Sequence, residues 1–117
     1  MSEADIQRQI TDALRKLGAF VFRIQSGKVK VKRGWMQLAP EGSPDLGVIV
    51  PPGGVFLGLE VKDAKGKLRD AQVTVANALC RAGAAVRTVR SVEDAVRAYL
   101  EVKDASGAVY GRATDDE

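Results

Sequence analysis

Val55-Phe56-Leu57-Gly58-Leu59-Glu60-Val61-Lys62 is the stretch on which the reading of this chain turns. Side chains of a strand alternate between faces, so Val55, Leu57, Leu59 and Val61 share one face and Phe56, Gly58, Glu60 and Lys62 the other. The first face belongs in a core. The second ends in a carboxylate and an ammonium side by side, which taken alone reads as a salt bridge at a sheet rim. Its neighbours alter that reading. Asp45 follows Pro44 and leads into Leu46-Gly47-Val48-Ile49-Val50, and the turn cluster Pro51-Pro52-Gly53-Gly54 joins this apolar run to the 55–62 strand. Alone, Pro44-Asp45 is a turn. The fifteen positions between Asp45 and Glu60 nevertheless suit a hairpin that brings both carboxylates to one end.

Outward from this hairpin, the pattern alternates between the two periods. Residues 3–17 place Ile6, Ile10, Ala13, Leu14 and Leu17 at helical spacing, with Ser2 and Asp5 as a capping start and Gly18 as a stop. Residues 19–25 are rich in strand formers, and 28–38 contain a short alternating stretch. A helical period returns over 68–82, a strand over 85–89, and Ser91 caps a last helix ending at Leu100. There is no internal repeat. Periodicity lapses after Val102, which predicts a domain over 1–102 and, over 103–117, a frayed tail or partner-binding arm ending in Asp115, Asp116 and Glu117.

The chain has 117 residues, 45% hydrophobic and 28% charged, which suits one globular domain. No apolar run approaches the roughly 20 residues of a membrane helix, and Ser2, Glu3 and Asp5 are unlike a signal sequence. A soluble, intracellular protein without a membrane partner is therefore expected. One cysteine, Cys80, and no histidine exclude an internal disulfide, a cysteine-rich zinc site and histidine-based proton transfer. The available chemistry is that of carboxylates, lysine, amides and hydroxyls. Net charge is +3, yet residues 1–40 hold eight Lys and Arg against three Asp and Glu. Arg23, Lys28, Lys30, Lys32 and Arg33 concentrate this excess, either as a solvated basic loop or as a contact for a polyanion. In Lys28-Val29-Lys30-Val31-Lys32 the lysines fall on one strand face. Trp35 could stack on an exposed base at a branch point or anchor a dimer interface, but packing is the expected role, and Cys80 is expected to be a small core residue.

Two helical residues join the carboxylates. Glu3 lies about 20° from Ile10 and Leu14 around its helix, on the core-facing stripe. Gln72 shares a face with Val75, Ala76 and Leu79. Singly, Glu3 complements the helix dipole and Gln72 is a boundary residue. Together, Glu3, Asp45, Glu60, Lys62 and Gln72 have the logic of metal-assisted phosphodiester hydrolysis. Mg²⁺ or Mn²⁺ takes carboxylates, a carbonyl and waters, and requires neither His nor Cys. Asp45 and Glu60 would be ligands, while the Lys62 ammonium orients the attacking water and offsets phosphate charge.

The motifs Ser2-Glu3-Ala4-Asp5-Ile6-Gln7, Gly42-Ser43-Pro44-Asp45-Leu46, Glu60-Val61-Lys62 with Gly66-Lys67-Leu68, Gln72, and Gly83-Ala84-Ala85-Val86 resemble the PD-(D/E)XK nuclease superfamily. Within it they are most similar to virus-type replication-repair nuclease (VRR-NUC) domains, over residues 2–97. The resemblance implies an α/β, restriction-endonuclease-like core with a central mixed β-sheet flanked by helices. It also implies DNA cleavage dependent on Mg²⁺ or Mn²⁺, with Asp45, Glu60, Glu3 and the Val61 backbone carbonyl at the metal, Lys62 as the catalytic lysine and Gln72 as the helical glutamine. Stand-alone members resemble Holliday junction resolvases. They imply a homodimer on branched or junction-containing DNA in the cytoplasm of a bacterial or phage-infected cell. No motif fixes residues 25–38. The rival expectation is a non-catalytic DNA-binding or interaction module that keeps the fold.

Overall fold

The computed structural model describes the backbone of residues 1–115 and the side chains of residues 1–106. Helix α1 (Glu3–Lys16) begins where Ser2 Oγ accepts the Asp5 N–H at 3.1 Å and ends ahead of Gly18 at a φ of 97°. Six strands follow its end in two groups: β1 (Phe20–Arg23), β2 (Lys28–Val31), β3 (Gly34–Gln37), β4 (Leu46–Val50), β5 (Val55–Val61) and β6 (Ala85–Val89). Helix α2 (Asp70–Arg81) connects β5 to β6, and α3 (Val92–Asp115) closes the chain. Ser91 caps α3 as expected, its Oγ accepting the Asp94 N–H at 3.1 Å.

The central sheet has the order β1-β4-β5-β6, antiparallel except for the parallel β5–β6 pair, and β2–β3 form a separate two-stranded ribbon. This is the mixed, helix-flanked α/β sheet that the sequence predicts. Leu46 stands opposite Leu59, Val48 opposite Leu57 and Val50 opposite Val55. Opposed residues share a face, so these side chains make one apolar surface with Val21, Val61 and Val89. Ile6, Ile10 and Leu14 of α1 and Ala95, Ala98, Tyr99 and Val102 of α3 cover it. Each fully buried Leu or Ile there contributes roughly 1.5–3 kcal/mol relative to an exposed position. Fully buried Tyr99 donates its hydroxyl to the Leu17 carbonyl at 3.4 Å, tying α3 to the end of α1.

The opposite sheet face is covered only in part. Helix α2 lies against its β6 side, and Phe20, Phe22 and Phe56 form a chain of tilted rings at 6.1 and 6.5 Å, with Phe20 67% exposed.

Three expectations change. The last helix does not stop at Leu100: Ala95, Ala98, Tyr99, Val102 and Ser106 repeat at helical spacing, and the last two are buried beyond the predicted end. The start of the 103–117 segment is therefore helix. Its side chains from residue 107, and all of Asp116 and Glu117, lie outside the described residues. Trp35 is not packed but 68% exposed, because the ribbon that carries it has no layer over either face. Cys80 is exposed rather than in the core, on the outer side of α2.

Candidate active site

The register of β4 and β5, continued one residue outward, sets Asp45 opposite Glu60. Glycines and prolines make the approach close. The Pro44 ring lies on Gly58, where a Cβ would sit 2.7 Å from Pro44 Cγ, so a larger residue at 58 would push Pro44 and Asp45 away. Gly42, at a φ of +91°, turns the preceding loop against the backbone of Ala71 at the start of α2, with no room for a side chain. Loop, strand and helix N-terminus thereby converge on one corner.

Asp45 Oδ2 accepts the Val61 N–H at 2.8 Å. In a strand, the N–H and C=O of one residue point to the same edge, so the Val61 carbonyl is presented on the side where Asp45 sits. Glu60 is 4% exposed, and its Oε1 accepts from Gln72 Nε2 at 2.8 Å. Gln72 Oε1 in turn accepts the Arg69 N–H at 2.8 Å, so the amide caps α2 with one end and holds Glu60 with the other. Burial pushes the Glu60 carboxyl up to about 8, and Asp45 pushes the same way as hydrogen-bond partner and as a like charge. The charges of Lys62 and Arg69 oppose that shift.

Lys62 is buried on the same face as Glu60, its stem packed against Gly66. The rim salt bridge that Glu60 and Lys62 suggest in isolation is not formed: neither takes part in an ion pair within 4 Å among the described residues. The ammonium is left to act on something else.

The structure thus gathers Asp45, Glu60, Val61, Lys62 and Gln72. It does not add Glu3. Among the described residues no group of three or more carboxylate, histidine or cysteine side chains is placed to hold an ion, so Glu3, half-buried in the first turn of α1, stands outside the cluster. Of the basic residues, Lys28 and Lys30 lie on the β2–β3 ribbon with Lys32 and Arg33 at its turn, whereas Arg23 lines a separate cleft beside Gln7 and Arg8 of α1.

Two contributors escape the sequence reading. Arg90 donates to the carbonyls of Asp63 at 2.6 Å and Gly66 at 2.7 Å, pinning the loop that follows Lys62. Asp63 Oδ1 helps by accepting the Gly66 N–H at 2.7 Å. Arg69 brings a positive charge to bear on Glu60. The only signal for Arg69 is its place at the end of the Gly66-Lys67-Leu68-Arg69 run.

Two carboxylates and a strand carbonyl are hard oxygen donors. Mg²⁺ is ordinarily held by one or two carboxylates, with waters and phosphate oxygens completing its shell, so this donor set fits such an ion. The crowding of negative charge at Asp45 and Glu60 is what a cation would relieve.

A solved structure described as a VRR_NUC domain is 27% identical to this chain, with a TM-score of 0.60, covering 83% of this chain and 94% of that one. No family model and no curated protein matches. The structural match supports the likeness carried by the sequence motifs, and the helix-flanked mixed sheet fits a restriction-endonuclease-like fold.

Proposed function

We propose that this chain, a VRR-NUC domain by its fold and motifs, is a nuclease: a structure-selective DNA endonuclease dependent on Mg²⁺ or Mn²⁺. The observation that carries the reading is the corner where Asp45 and Glu60 crowd one another beside a buried Lys62 that has no ion-pair partner among the described residues. Asp45, Glu60 and the Val61 carbonyl would hold the cation, which when bound supplies charge stabilisation to the phosphodiester and acidity to water. Gln72 fixes the Glu60 carboxylate in the orientation this requires. The Lys62 ammonium, held by its packed stem, orients the attacking water and offsets phosphate charge as it develops. Lys28, Lys30, Lys32 and Arg33 hold the DNA backbone through sequence-independent phosphate contacts.

Four-way junctions and related branched DNA are the proposed substrates, and a homodimer is the proposed assembly. A symmetric junction offers two equivalent strands to a two-fold pair of small sites. The open ring chain of Phe20, Phe22 and Phe56 supports the dimer, because a second copy would bury it. The test is cleavage of linear, flapped, forked and four-way DNA with Mg²⁺ or Mn²⁺, beside light scattering. Cation-dependent cutting that favours branched substrates is expected. Binding with no cutting under any condition would instead identify a non-catalytic DNA-binding module.

A further inference from the structure

The β2–β3 ribbon stands apart from the catalytic corner and is built differently. Lys30 pairs with Trp35 and Lys28 with Gln37. Opposed residues share a face, so the indole lies among the lysines and not with Val29, Val31 and Met36 on the reverse. Trp35 is 68% exposed, and among the described residues its ring meets no aromatic partner and no cation. The face is braced rather than loose. Gln37 Nε2 donates to the Gly27 carbonyl at 2.9 Å and to the Leu38 carbonyl at 3.0 Å, which fixes the base of the ribbon. At that base a cleft of about 820 Å³ is lined by Gly27, Lys28, Gln37, Pro40 and Arg69. Arg69 also donates its backbone N–H to Gln72 Oε1, the amide that holds Glu60, so the cleft and the catalytic corner share the start of α2.

We infer that the Lys28/Lys30/Trp35 face binds an unpaired stretch of nucleic acid, Trp35 stacking on a base while the lysines contact the flanking phosphates. A flat, solvent-exposed ring has no use for a continuous duplex, whose base faces are already stacked, but it meets an unpaired base at no such cost. Lys30 directly across from the ring and Lys28 diagonal to it match a polyanion, and they disfavour the apolar partner that the reverse face would accept. The ribbon thus selects DNA carrying unpaired bases, such as a flap or an open branch point, and the cleft passes the adjoining backbone to the corner. The link to cleavage rests on the nuclease reading, whereas the binding claim does not.

Trp35 is the chain's one tryptophan, so its fluorescence reports this face alone. The experiment titrates the full-length protein, in EDTA, with oligo(dT), oligo(U), a blunt duplex and a duplex bearing a single-stranded flap, across a salt series. Oligo(dT) and the flap are expected to quench the tryptophan and to bind about tenfold more tightly than the blunt duplex. Trp35→Ala should lose about tenfold in affinity for both without changing the salt slope, and Trp35→Phe should recover most of it. Lys28→Ala with Lys30→Ala should lower the slope by about 1.4, at roughly 0.7 for each single-strand phosphate. Oligo(U) binding comparably to oligo(dT) is the expected result for a face that reads bases and phosphates but not sugars; oligo(U) binding more than about tenfold tighter would overturn DNA as the source. Equal quenching and affinity for blunt duplex, or a Trp35→Ala variant that binds as the parent does, would overturn the inference. So would quenching that follows protein concentration without DNA, which would assign the face to a second copy. Because no cleavage is measured, a chain that shows this binding but never cuts would refute the nuclease reading and leave this one standing.

Discussion

The two antiparallel hairpins of this chain, β4–β5 and β2–β3, carry their charges in opposite ways. On β4–β5 the charged groups are enclosed: Glu60 and Lys62 are buried, and Asp45 is tied to the backbone of Val61. On β2–β3 every residue is exposed, and Lys28 and Lys30 form no ion pair among the described residues. The difference has an electrostatic consequence. Two unit charges 4 Å apart interact by about 1 kcal/mol in water but by about 4 kcal/mol at the effective dielectric near a protein surface. Placement therefore separates the tasks. The buried hairpin can shift the Glu60 carboxyl up to about 8 and aim an ammonium, whereas the exposed one keeps its lysines free to exchange counterions for phosphates.

The largest effects are expected where the enclosed hairpin is broken. Lys62→Ala or Asp45→Asn should slow single-turnover cleavage of branched DNA by about a hundredfold or more while leaving binding near the parent value. A Lys62→Ala protein that cuts at full rate would show that the buried Lys62 ammonium has no part in cleavage. Next in size is the loop that carries Asp45: Gly42→Ala forces a side chain into the backbone of Ala71 at a left-handed φ and should cost about 2 kcal/mol or more in chemical denaturation.

Acidity offers a finer probe of the same hairpin. Glu60 holds its proton more tightly when folded than its ordinary value near 4.5, so its contribution to stability is fully present below about 4.5 and is lost as the pH rises through about 8. Thermal unfolding in EDTA should show this decline, and Glu60→Gln should flatten it. Cation affinity should run the other way, strengthening toward pH 8 as the carboxyl gives up its proton. The smallest effect belongs to the exposed hairpin. Lys30→Ala should lower the salt slope of DNA binding by less than one unit, with the cleavage rate recovered at saturating DNA.

Much of the enclosed hairpin was legible in the chain because its constraints are local. The period of two in 55–62 sorts the core residues from Glu60 and Lys62, and an interval of fifteen around a Pro-Gly turn leaves one register that buries every leucine and valine on one face. Gln72 was legible by its helical phase. Features that depend on what lies opposite were not. The helical phase of Glu3 reports a face of α1, not whether that turn reaches the sheet edge where Asp45 and Glu60 meet. Trp35 has the composition of a packing residue, and only the absence of a third layer over the ribbon exposes it. Cys80 sits beside small apolar residues in the sequence but on the outer side of a helix with little buried beyond Gln72. The continuation of α3 was hidden because Ser106 interrupts the apolar period at a position the fold nevertheless buries.

The central claim is that the Asp45–Glu60 corner performs cation-dependent phosphodiester cleavage, and single-turnover cleavage of flapped and four-way DNA by the parent protein and by Glu60→Gln, with Mg²⁺ and with EDTA, tests it most directly. The parent should cut with Mg²⁺ and stop in EDTA, and Glu60→Gln should bind the same DNA yet cut at least about a hundredfold more slowly. Cleavage by Glu60→Gln at the parent rate, or parent cleavage undiminished in EDTA, would contradict the account.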